Sequence, residues 1–206
     1  MRKIASMIVA IVLVFSMGTA SAINEDRFMN SPGNQKMAGA IVYGLMDVAM
    51  AQDPGGLMVM LYSTVKLADK EIPVLDVMFG AKTFVATLLN VETDTHTYVV
   101  PIGDLSNLGI KKVDEMCNIL TTRETADMFR DMSTSKKVKL ILIGGTNKNN
   151  KYNFTLTDKQ KVQLGLVADE YDEEIAKYYE PEGSEYDPVF AKLIDTAKCN
   201  VAVGNK

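Results

Sequence analysis

One histidine, two cysteines, thirteen methionines and a scatter of carboxylates are the residues through which this 206-residue sequence could do chemistry. His96 is the sole histidine, so serine–histidine or cysteine–histidine catalysis would have to use it as the base. Asp94 stands two residues before it. On a strand, positions i and i+2 share a face without having to touch. The nucleophile is the difficulty: there is no Gly-x-Ser-x-Gly elbow, and Cys117, the only thiol placed to attack, is better assigned to a bridge. His96 is therefore expected as a surface histidine at a strand edge.

Cys117 and Cys199 are the two cysteines. In an oxidising compartment such a pair favours one disulfide; two buried thiols packing as small hydrophobes are the alternative. A bridge closing a loop of about 80 residues would add roughly 4 kcal/mol by chain entropy. One histidine and two distant cysteines lack zinc-site spacing.

The methionines raise copper. Met46 and Met50 are an i, i+4 pair, and Met58 and Met60 share one strand face. Clustered thioethers suit copper(I), but methionine is also an ordinary core filler, and these segments are needed for the core. Carboxylates gather in Asp169 to Glu174 and Glu180 to Asp187. Such groups can hold calcium or do acid–base work on sugars. The run lacks the alternating ligands and central glycine of an EF-hand, and reads better as the solvated face of a helix with Tyr171 turned inward. No metal or cofactor is expected. A hydrolase built on Asp94, Asp104 and this acidic region, and a methionine-based copper(I) handler, remain as alternatives.

The stretch ILIGGTNKNNKYNFTL, from Ile141 to Leu156, resembles a phosphate-holding glycine loop only superficially. A phosphate cradle runs strand, loop, helix, so that a helix N-terminus aims amides at the anion. Here Val138, Leu140 and Leu142 alternate before the loop, and Tyr152, Phe154 and Leu156 alternate after it. Two period-2 strands specify a β-hairpin.

Other elements follow from local chemistry. Met37 to Gln52 carries Ala38, Ile41, Leu45 and Ala49 at helical spacing and is expected as a buried helix. Leu57 to Tyr62, Val74 to Phe79, Lys82 to Val91 and His96 to Val100 read as strands, with Glu92 to Thr95 as a hairpin turn. Thr121 with Glu124 forms a capping box opening a helix to about Met132 that buries Ala126, Phe129 and Met132. Thr157 with Gln160 opens the longest helix, whose inner face is Leu164, Val167, Tyr171, Ile175 and Tyr178. Asp187-Pro188 starts a last helix, to about Lys198, that buries Val189, Phe190, Leu193 and Ile194. Strands lie close together in sequence with few crossovers, which predicts an α+β fold: a largely antiparallel sheet with helices packed on one face.

The N-terminus fixes the destination. Arg2 and Lys3 precede an apolar run from Ile4 to Phe15, and small residues follow, ending in Ala20-Ser21-Ala22. That is the layout of a secretory signal peptide cleaved after Ala22, and its apolar core is too short to span a bilayer comfortably. Residues 1–22 are thus expected to be a leader, 23–36 a flexible lead-in, and 37–206 a single domain that does not insert in the membrane. Without Arg2 and Lys3, the balance of 22 basic to 26 acidic residues becomes 20 to 26. An acidic chain with no dense basic cluster is a poor partner for nucleic acid. The expectation is an exported, periplasmic or secreted, non-catalytic binding module for a protein, peptide or envelope component.

Overall fold

The computed structural model describes residues 35–37, 40–42, 49–50, 57–67, 70–80, 86–102, 116–144, 150–197 and 200–206. Side chains are described at 70, 72, 87–102, 119–144, 151–196 and 200–206. The leader, most of the lead-in, Asp104 and Cys199 lie outside the described residues, as does the side chain of Cys117. The expected Cys117–Cys199 bridge thus lies outside the described residues.

Alternating sequence makes the central sheet. β6 (Ala86–Glu92) and β7 (His96–Pro101) pair antiparallel through Glu92↔Thr97, Val91↔Tyr98 and Leu89↔Val100. β9 (Lys139–Gly144) and β10 (Asn150–Thr155) form the expected hairpin, with Leu142 opposite Tyr152 and Leu140 opposite Phe154. β9 also pairs with β6, and β11 (Ala202–Asn205) closes the far edge against β7, giving the order β10-β9-β6-β7-β11. Because side chains alternate, Leu89, Val91, Tyr98, Val100, Leu140, Leu142 and Phe154 all share one face. All seven are buried.

Helices cover that face. α1 (Arg123–Thr134) contributes Ala126, Phe129 and Met132 to the same core cluster, and α2 (Asp158–Glu170) contributes Leu164 and Val167. α4 (Pro188–Ala197) adds Phe190 and Ile194. A second sheet, β3 (Ala49–Met50), β4 (Leu57–Leu67), β5 (Lys70–Gly80) and β8 (Met116–Leu120), feeds Ile72, Ile119 and Leu120 into the cluster. β1 (Gln35–Met37) and β2 (Ala40–Val42) form a separate two-stranded ladder. Every described strand pair is antiparallel. The protein is α+β, as its patterning predicts.

Several local expectations are corrected. Met37 to Gln52 was expected to be a helix, but its described residues are strand: the end of β1, β2, and β3. An apolar run fits a buried helix or a buried strand equally by periodicity, and cross-strand pairing decides here. The helix start at Thr121 moves one residue on. Thr122 is the N-cap, and its backbone N–H donates to Thr125 Oγ1 at 2.7 Å. Thr121 Oγ1 is instead buried without a partner. The second box stands as read: Gln160 N–H donates to Thr157 Oγ1 at 3.2 Å, and Thr157 N–H to Gln160 Oε1 at 3.0 Å.

Beyond α2, the helix passes through a π-helical turn, Tyr171–Ile175, before α3 (Ala176–Tyr179). The Ala176 amide reaches back to the Tyr171 carbonyl, five residues away. Gly183 then folds the chain against the helix end. A Cβ there would lie 2.2 Å from the Lys177 carbonyl oxygen, so only glycine allows the approach. At the start of α4, the Asp187 carboxylate accepts from Val189 N–H at 3.0 Å and Phe190 N–H at 3.1 Å, an N-cap with proline at the first position. Val189, expected inside, is 68% exposed; it sits one position off the stripe that Phe190 and Ile194 define.

Candidate functional site

A polar cluster lies where the β6–β7 turn meets the last turns of α1. Thr93 is buried in that turn because its hydroxyl closes it. Thr93 Oγ1 accepts from His96 N–H at 2.9 Å and from Thr95 N–H at 3.3 Å. The same hydroxyl donates across to Asp131 Oδ2 at 2.7 Å. Tyr98 projects from the core face of β7 and donates its hydroxyl to Asp131 Oδ2 at 2.9 Å. His96 Nδ1 is 3.1 Å from the same oxygen, and Thr95 donates to Oδ1 at 3.2 Å. The His96 and Tyr98 rings are tilted, with centroids 5.7 Å apart.

Asp131 is thus the hub of a four-donor shell. Desolvation acts to raise its pKa, but the hydrogen bonds from Thr93, Tyr98, His96 and Thr95 together outweigh it and hold the carboxyl below its ordinary value. Tyr98 moves the other way: burial first, then its bond to the Asp131 anion, raises the phenol.

The His–Asp contact has half the geometry of a catalytic dyad. In a working triad the far nitrogen of the ring faces a nucleophile. Among the described residues, no hydroxyl or thiol bonds to Nε2 of His96. Ser135, which follows α1, accepts instead from Asp94 N–H at 3.4 Å.

Asp94 is not part of the shell. Its carboxylate accepts from Lys136 N–H at 2.7 Å and Lys137 N–H at 3.3 Å, tying the turn to the chain that leaves α1. The Lys136 bond is the chief reason its pKa lies below normal. A carboxylate acid–base pair needs one member raised to act as a proton donor; Asp94 and Asp131 are both lowered. Beside them lies an open cavity of about 310 Å³, lined by Glu92, Thr93, Asp94, Lys137, Lys139 and Lys206. Lys206 spans it, donating from Nζ to the Thr93 carbonyl at 2.6 Å.

The acidic C-terminal region is committed elsewhere. Arg130 reaches Asp172 at 2.6 Å, Lys177 pairs with Glu174 at 3.0 Å, and Tyr179 donates to Asp195 at 2.8 Å. Glu180 accepts from Tyr171 OH at 2.6 Å and Arg123 Nε at 2.8 Å. Asp187 accepts from Lys70 Nζ at 3.0 Å, over the rings of Tyr178 and Phe190. Tyr171 points inward, as its place in the helical stripe predicts. No group of three or more His, Cys, Asp or Glu side chains placed to hold a metal occurs among the described residues. Met58 and Met60 do lie on a strand, β4, whose side chains are outside the described set. No described helix is long and apolar enough to cross a membrane.

Sequence reasoning singled out His96 and Asp94 and put them on one strand face without requiring contact. The structure pairs His96 with Asp131 and Asp94 with backbone amides. Thr93, Thr95 and Tyr98 were missed as a group; the one signal was a hydroxyl-rich turn, Thr93-Asp94-Thr95, ahead of a lone histidine. The architecture and site together define an α+β protein whose described strands all pair antiparallel, with a polar, hydrogen-bonded sheet end. No protein-family model, curated protein or solved structure matches the chain.

Proposed function

We propose that the protein is an exported, non-catalytic binding module that acts on a protein, peptide or envelope component. The observation that supports this best is the state of Asp131, the most heavily bonded described carboxylate. It spends its acceptor capacity on Thr93, Thr95, His96 and Tyr98, and its depressed pKa keeps it from acting as a proton donor near neutrality. The reading includes a leader removed after Ala22 and a Cys117–Cys199 bridge formed in an oxidising compartment.

One preparation tests both parts. Protein purified from the exported fraction is weighed intact with and without reductant, then offered ester, peptide and glycosidic chromogenic substrates. A mass beginning at Ile23, two hydrogens lighter before reduction, with no turnover, is the expected result. Turnover abolished by His96→Gln or Asp131→Asn would establish the hydrolase instead.

A further inference from the structure

The last strand occupies its place in an unusual way. β11 pairs antiparallel with β7 through Ala202↔Val99, Val203↔Tyr98, Gly204↔Thr97 and Asn205↔His96. All four of its residues are exposed, Val203 at 59%. Main-chain pairing therefore holds the strand itself, with Val201 just before it partly buried against the core. At Gly204 a Cβ would sit 3.8 Å from the Thr97 carbonyl oxygen, an ordinary contact, so the position accepts a side chain. The edge of β7 thus makes few demands on the identity of the strand beside it.

One demand is specific. Lys206 N–H donates to the Thr95 carbonyl at 3.0 Å, and its ammonium donates to the Thr93 carbonyl at 2.6 Å. Glu92, Asp94, Lys137 and Lys139 line the same cavity, so the specific acceptor for the cation is the Thr93 carbonyl. A strand-accepting edge that ends in a cation socket is the arrangement by which domains capture extended peptides: main-chain bonds supply affinity and the socket supplies register. Exposed edges invite such pairing unless covered, and β11 covers this one.

We propose that the outer edge of β7 is an acceptor for an extended, lysine-bearing segment of a partner protein, and that β11 holds it in cis until that segment displaces it. The proposal rests on the binding-module reading and specifies its mode: strand addition, with a lysine ammonium on the Thr93 carbonyl. The partner's strand carries small or apolar residues without a fixed sequence, because none of the resident side chains is buried.

The test uses the full chain and a fluorescent peptide, Ala-Val-Gly-Asn-Lys, copied from 202–206. Ala202→Pro/Gly204→Pro removes the two β11 amides that face β7, opposite Val99 and Thr97, and leaves β7 intact. The peptide is expected to bind this variant about tenfold or more tightly than the unaltered protein, and to lose about tenfold when its lysine is replaced by norleucine. Lys206→Ala, a milder opening of the socket, is expected to strengthen peptide binding in the same direction. Hydrogen exchange at Thr97 and Val99 reports that the peptide takes the β7 edge. Failure of the peptide to bind either variant, when both keep the circular dichroism and melting temperature of the parent, overturns the proposal. So does binding indifferent to the lysine. Concentration-dependent dimers of the unaltered protein that vanish in Ala202→Pro/Gly204→Pro would make the occupant a second copy and overturn it too. Loss of peptide binding without substrate turnover removes this inference alone; turnover removes the reading beneath it.

Discussion

Asp131→Ala is expected to destabilise the fold by about 3 kcal/mol or more, and His96→Ala by less than about 1 kcal/mol. The asymmetry follows from burial. Thr93 and Tyr98 are 2% and 5% exposed, and each donates to Asp131. Without the acceptor, the buried Tyr98 hydroxyl loses its partner and Thr93 keeps only the longer, 3.2 Å bond to the His96 carbonyl, at roughly 1–3 kcal/mol each. His96 is half-exposed, so water replaces what it loses. Urea denaturation with an unchanged m-value measures both. Equal, small effects would mean the cluster is not structural. The same residue sets the acid limb. The folded pKa of Asp131 is depressed, so its contribution is fully present above the unfolded carboxylate value of about 3.9 and is lost as pH falls through the lower folded value. Asp94, Asp158 and Asp187 are lowered as well. Stability of the parent should therefore fall steeply below about pH 4. In Asp131→Ala the fall should be shallower but not absent.

How far this was legible depended on the range of the interaction. Hairpins announce themselves locally: Leu140 and Leu142, then Tyr152 and Phe154, alternate on either side of a Gly/Asn loop, and the ladder matches residue for residue. Helix starts are equally local, since Thr157 and Gln160 satisfy each other three residues apart. The Asp131 shell joins residues 33 to 38 positions apart, and nothing in an exposed-looking Arg-Asp-Met run marks that aspartate as a hub. β11 was illegible for a different reason. A strand whose side chains are all exposed leaves no apolar alternation to read, because only its main chain is recruited. The π-turn at Tyr171–Ile175 adds a hydrogen-bond register change without altering which residues face inward. Met37 to Gln52 misled because an apolar run without clear polar positions carries no period that separates helix from strand.

Phe190→Ala should produce the other large effect, about 3–5 kcal/mol, and it should do so unevenly. Phe190 is fully buried in α4. Its ring meets that of Tyr178 edge-on, centroids 6.3 Å apart at 82°, and lies 5.1 Å from the Lys70 ammonium. The substitution leaves a cavity and removes one of the two rings that shelter a lysine whose side chain is only 14% exposed. Asp187, which caps α4 and pairs with Lys70, sits at the same junction. α4 is thus pinned to α3 and to the start of β5 through one small group of side chains. Beyond α4 comes β11, which buries no side chain of its own. Loosening Phe190 therefore weakens the hold on α4, the helix that precedes β11 in the chain, and the two should open as a unit below the global unfolding free energy. Native-state hydrogen exchange on Phe190→Ala is expected to show protection falling together across 188–197 and 202–205, while β6 and β9 lose less. Val189→Ala, one residue away and exposed, should change nothing measurable. If protection instead falls uniformly, α4 is integral to the core's cooperativity and β11 is not independently releasable. If β11 loosens selectively, the edge of β7 is uncovered by the very transition that a competing strand would exploit.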